Sequence, residues 1–203
     1  TDGLDYIVYD YLAEITMSIM ARARLKDENR GYATDFVNAA MKPNLARIAE
    51  YGIKVVSNAG GVNPQACVAA LQAEIETQGL DLKVACVVGD DLINEKERFI
   101  GEAAIEMFSG DAFPDPEKVL SINAYLGAFP IAEALALGAD IVVTGRCVDS
   151  AVTLGACIHA FGWGREDYDK LAMGSLAGHI LECGPQATGG NFTDWEDVPG
   201  IAD

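Results

Sequence analysis

Short runs of β-branched and apolar residues, each separated from the next by ten or more residues that include a helical stretch, constrain this chain more than any other feature. Leu4 to Tyr9, Ile53 to Ser57, Leu82 to Val88, Val119 to Ala124 and Ile141 to Thr144 are the strand candidates. Between and after them, helical spacing runs over Leu12 to Leu25, Phe36 to Tyr51, Pro64 to Gln78, Asn94 to Phe108, Pro130 to Leu137, Ser150 to Phe161 and Asp167 to Leu181. Strands separated in this way cannot form hairpins; they pair parallel through crossover helices, which cover both faces of the sheet. The expected class is α/β: a mostly parallel sheet of about five or more strands, flanked by helices in a Rossmann-like, open, doubly wound arrangement. A closed eight-strand barrel needs strands this chain lacks.

The 203 residues are half apolar, enough for one domain with a real core. They read as a single α/β domain. The absence of an initiator Met and an end just past a loop suggest a fragment of a longer domain. No apolar run approaches the roughly 18 residues of a membrane span, and no secretory signal opens the chain, so a cytoplasmic protein is expected. The net charge of −17 disfavours nucleic acid and anionic membranes, both of which require basic surface. A small anionic substrate remains compatible if a local cluster of Arg and N–H groups meets it. Five dispersed cysteines with no C-x-x-C pair fit reduced thiols. Cys147 and Cys183 adjoin polar loops.

In parallel α/β sheets, ligands bind beyond the carboxyl ends of the strands. The residues there are small and polar. Arg146 leaves the last strand just ahead of a helix capped by Asp149 or Ser150, so a guanidinium and free helix N–H groups would converge on a carboxylate or phosphate. Pairing of Arg146 with Asp149 is the structural alternative. Asn58, Gly60, Gly61 and Asn63 form a turn whose backbone N–H groups would approach an anion, or equally a tight strand-to-helix turn with an Asn cap. Asp10 and Glu14, one helical turn apart, suit a general base or a Mg²⁺ ligand pair, or else a solvated helix start. Asp90-Asp91 reads first as a turn. Asn123 ends the fourth run, and Tyr125 follows it. The stretch from Glu182 to Trp195, with Thr188, Gly189, Gly190 and Asn191, is too rich in turn-formers and amides to be only a connection. His179 precedes Glu182 and Cys183 at helical spacing, but H-x-x-E-C matches no established zinc pattern. There is no G-x-S-x-G and no glycine fingerprint after any strand, so neither a hydrolase elbow nor a nicotinamide cofactor is signalled. The cofactor is unassigned.

Five segments carry a family resemblance: Leu4 to Ile19, Val56 to Pro64 (VSNAGGVNP), Asn123 to Ala128 (NAYLGA), Ala139 to Ala151 (ADIVVTGRCVDSA) and Leu181 to Trp195 (LECGPQATGGNFTDW). In order and nearly end to end, they resemble the N-terminal domain of the acyclic terpene utilisation (AtuA-type) family. The resemblance implies a bacterial-type cytosolic protein of branched isoprenoid acid catabolism, working alongside acyl-CoA carboxylases. The leading expectation is an enzyme acting on a branched acyl-CoA or carboxylic acid by hydratase or lyase chemistry. Asp10, Glu14 or Asp149 would move the proton; Asn58, Asn123, Thr188 and Asn191 would contact the carbonyl oxygen. The rival expectation is a non-catalytic binding or scaffold subunit associated with an acyl-CoA carboxylase, and a third is a nucleotide-binding domain. A homo-oligomer is compatible with each.

Overall fold

The computed structural model describes residues 3–189, 193, 194, 197, 199 and 200. Four parallel strands form one sheet in the order β1-β2-β4-β3: β1 (Tyr6–Tyr9), β2 (Lys54–Ser57), β3 (Val84–Val87) and β4 (Ile141–Thr144). The composition of each strand matches its place. IVVT of β4 is buried throughout and lies between β2 and β3, whereas β1, at one edge, is only half-buried. Because successive side chains point to opposite faces, Val55, Ile141 and Val143 face one core and Val56, Val142 and Val87 the other.

The first core is closed by α1 (Glu14–Lys26), a π-helical turn (Phe36–Met41), α2 (Leu45–Tyr51) and α3 (Pro64–Thr77). The second is closed by α5 (Phe129–Ala136) and α6 (Ala151–Phe161), with α7 (Tyr168–Glu182) packed on α6. The helix α4 (Lys96–Gly101) is short. Helix α3 starts as its sequence requires: Asn63 Oδ1 accepts from the Ala66 N–H at 3.4 Å and Pro64 occupies the first turn.

Three expectations are corrected. Residues 119–124 do not join the sheet. Polar at Ser121 and Asn123 and only half-buried, they cannot fill a position covered on both faces; instead Asn123 forms a lone antiparallel bridge to Asp91, beyond the end of β3. The helix expected over 36–51 is two pieces, because Pro43 has no N–H to donate and its ring blocks the preceding turn. The helix expected over 94–108 stops at Gly101; Ala103 is left-handed at φ 51, and Ile105 bridges Ala112 in a small hairpin.

The glycines within α7 do not weaken it but fit it to its neighbour. A Cβ at Gly174 would lie 2.7 Å from Trp163, and one at Gly178 would lie 2.7 Å from the Ser150 carbonyl oxygen. Spaced four apart, the two glycines share one helix face, and the absence of side chains there lets α7 lie against the start of α6. No helix of the described residues is long and apolar enough to cross a membrane.

Candidate functional site

The carboxyl ends of the strands bring together residues far apart in the chain. Asn58, fully buried at the exit of β2, accepts the Tyr11 N–H at Oδ1 (2.8 Å) and donates from Nδ2 to Asp10 Oδ1 (2.5 Å). Asp10 also accepts the Leu12 N–H at 3.1 Å, an Asx-type turn that shapes the path from β1 into α1. Burial pushes the Asp10 carboxyl above the ordinary aspartate range; the bonds from Asn58 and Leu12 oppose this, and the charges of Asp149 and Glu182 reinforce it. Asp10 lines a cleft of about 370 Å³ with Val8, Val152, Thr153, Leu181 and Glu182, so two carboxyls share it with three apolar side chains.

Next to it lies Arg146, 3% exposed despite its charge. Its Nη1 donates to the Leu12 carbonyl (3.2 Å) and to Asp149 (2.9 Å), its Nη2 donates to Glu14 (3.2 Å), and its plane lies 4.1 Å from the centre of the Tyr125 ring. Burial works against the guanidinium charge, but Tyr125 and Asp149 more than offset it and hold its pKa above the usual value. Glu14 is the solvent-facing partner, 80% exposed, and its Oε1 also accepts from the Tyr125 hydroxyl at 2.5 Å. The hydroxyl first, and the guanidinium with it, hold the Glu14 carboxyl below its ordinary range.

A fourth carboxylate supports the arrangement from behind. Asp90, 2% exposed, accepts the Arg146 backbone N–H (2.7 Å) and the Asn123 side chain (2.9 Å), and burial raises its pKa against those bonds. Gly145 makes this possible: a methyl there would collide with the Asp90 carboxylate.

The structure therefore gathers Asp10, Asn58, Glu14, Asp149 and Arg146, with Asn123 joined through Asp90. Asp10 and Glu14 do not share a helix face, because Asp10 precedes α1; Asp10 is bonded to Asn58, and Glu14 to Arg146 and Tyr125. The Gly60 and Gly61 N–H groups donate to the carbonyls of Thr144 (3.1 Å) and Asn58 (3.2 Å), so the anion cradle expected of them is taken up by a tight turn. A Cβ at Gly60 would sit 2.5 Å from the Thr144 oxygen. The Asn63 side-chain amide donates to the Glu28 and Arg30 carbonyls, making it a cap and tie. Thr188 and Gly189 are exposed in a 3₁₀ turn, where Thr188 donates to the Pro185 carbonyl. Gly190 and Asn191 lie outside the described residues. Helix α6 is entered through Ser150, which makes no side-chain cap bond and instead meets Ser175 of α7.

Two participants are not singled out by sequence. Asp90 resembles any turn carboxylate, and only its place directly after a strand and beside a second aspartate hints at more. Tyr125 carries no spacing signal. Cys147 is sealed inside, its thiol pushed up by burial to about 11. His159 is bonded to the Tyr6 hydroxyl at the opposite end of β1.

The model of the acyclic terpene utilisation family protein AtuA matches residues 1–203. The chain belongs to this family. Neither the curated proteins nor the solved structures yielded a match. Membership ties this family chain to acyclic terpene utilisation and leaves the chemistry to be argued from the site.

Proposed function

We propose that this family member is an enzyme of branched isoprenoid degradation. It acts on a branched acyl-CoA or the free carboxylic acid by moving a proton next to a carbonyl, in a hydration, elimination or lyase step. The observation that carries this reading is Asp10. A carboxyl with a raised pKa, held by Asn58 in a cleft that also carries the apolar side chains Val8, Val152 and Leu181, is suited to exchange a proton beside a hydrocarbon chain. Asn58, with both polar atoms engaged, fixes the orientation of Asp10 rather than contacting substrate.

Arg146 and Tyr125 supply the anion site in this reading. The exposed Glu14 carboxylate receives a guanidinium N–H and a phenol O–H on one oxygen, as a substrate carboxylate or phosphate would. Asp149 keeps the guanidinium oriented when Glu14 leaves.

A panel of branched and straight acyl-CoAs, their free acids and nicotinamide cofactors tests the proposal by thermal shift. A ligand at 100 times its dissociation constant adds about 2.7 kcal/mol, which in a domain of this size moves the melting temperature by roughly 5–10 °C. The expected result is a shift specific to branched ligands, weakened in Tyr125→Phe and retained in Glu14→Gln. Equal shifts from straight and branched compounds, or none, would overturn it. A second reading, a non-catalytic subunit that works with an acyl-CoA carboxylase, is favoured by Met173, Leu176 and Ile180, which form an exposed apolar stripe along α7. Co-elution with the carboxylase without acyl-CoA binding would select it.

A further inference from the structure

The last turn of α7 carries three ligand-type side chains on one face. His179, Glu182 and Cys183 are spaced i, i+3 and i+4, the separations that align side chains along a helix. Their donor atoms all lie within 4.8 Å of one another. Glu182 Oε1 is the shared point: the Cys183 thiol donates to it at 2.9 Å, and His179 Nδ1 lies 3.3 Å away. Ligands bound to a zinc-like ion at about 2.0–2.3 Å in tetrahedral geometry stand roughly 3–4 Å apart, so the three atoms are already near the spacing of one coordination sphere.

We propose that His179, Glu182 and Cys183 bind one divalent transition-metal ion of the zinc type. A nitrogen, an oxygen and a sulfur donor suit a borderline-soft ion, whereas Mg²⁺ and Ca²⁺ take oxygen ligands. Binding replaces the Cys183 thiol proton with the metal–sulfur bond and releases that proton to solvent, while the neutral imidazole coordinates through a ring nitrogen. Among the described residues these three donors gather at one point, and a zinc-type ion held by three protein ligands takes water or another ligand in its fourth position. Glu182 also lines the Asp10 cleft, so the proposed ion would border that cleft.

The site is defined by its ligands and does not depend on the proposed reaction. Chelator-stripped protein titrated with Co²⁺ should saturate at one equivalent and develop a thiolate-to-cobalt charge-transfer band in the near ultraviolet. Zn²⁺ should bleach the band. Cys183→Ser should abolish it and His179→Ala should weaken it, while Cys157→Ser, at the half-buried thiol in α6, should leave it unchanged; circular dichroism confirms that each variant is folded. A wild-type titration without the band, or a band that survives in Cys183→Ser, would overturn the proposal.

Discussion

Replacing Gly178 with alanine tests the packing that positions the site. In an unobstructed helix this substitution stabilises, because alanine loses less backbone entropy than glycine, by roughly 0.5–1 kcal/mol. At position 178 the added methyl would lie 2.7 Å from the Ser150 carbonyl oxygen and 3.1 Å from the Ser150 Cα and Cβ. Two of those atoms are backbone at the entry to α6, so no rotamer change relieves the contact, and α7 must move. Overpacking of this kind costs about 1–3 kcal/mol, which exceeds the propensity gain. The net loss is roughly 0.5–2 kcal/mol, a fall in melting temperature of about 1–8 °C for a domain of this size. The assay is a thermal melt followed by far-ultraviolet circular dichroism, with Gly101→Ala as control. A Cβ at Gly101 meets nothing within 4 Å, so its melting temperature should not fall. A Gly178→Ala protein as stable as wild type, or more so, would refute the close approach of α7 to α6.

Three further outcomes follow from the same geometry. The folded Asp10 carboxyl titrates above the ordinary aspartate value of 3.8, so its ionised form opposes folding at neutral pH; that opposition fades as pH falls through the raised value and is gone below the unfolded one. Asp10→Asn should therefore melt higher than wild type at neutral pH, with the gap closing in acid; a gap that widens in acid would contradict the assignment. Cys67 and Cys147 are fully buried, with thiols pushed up to about 12 and about 11, so a thiol reagent at mildly alkaline pH should label them only after unfolding; rapid labelling of either in the native protein, mapped by mass spectrometry, would contradict their placement. Gly145→Ala should destabilise by about 1–3 kcal/mol in denaturant titration, because Asp90 must leave the Arg146 N–H; no change in midpoint would show that the carboxylate is not seated there.

The strands of the sheet could be read from sequence because their burial is written in composition. Ile141-Val142-Val143 has one environment available to it, the middle of a parallel sheet, and it lies there. Residues 119–124 misled because β-branched content alone does not reveal that Ser121 and Asn123 forbid burial on both faces. Pro43 gave a break signal, but the apolar spacing of 36–51 runs across it without interruption. In the site, the rule that ligands gather beyond strand ends located Asp10, Asn58, Arg146 and Asp149. Their partners are set by the path of each loop rather than by local spacing. Glu14 meets Arg146 at a sequence separation of 132, and Tyr125 meets Glu14 at one of 111, which no periodicity encodes. The Gly60-Gly61 turn shows the converse: the residues suited to cradle an anion are the same ones that let β2 turn tightly into α3, and here the N–H groups serve the turn.

The role of Asp10 separates proton transfer from binding, so turnover of the branched acyl-CoA that gives the largest thermal shift should be compared between wild type and Asp10→Asn. Loss of a positioned acid or base lowers turnover by about 10²–10⁴-fold, while the Arg146 and Tyr125 contacts that hold the anion remain. A variant that keeps the ligand-induced thermal shift and loses turnover by at least about a hundredfold is the predicted result; turnover within a few-fold of wild type would contradict the account.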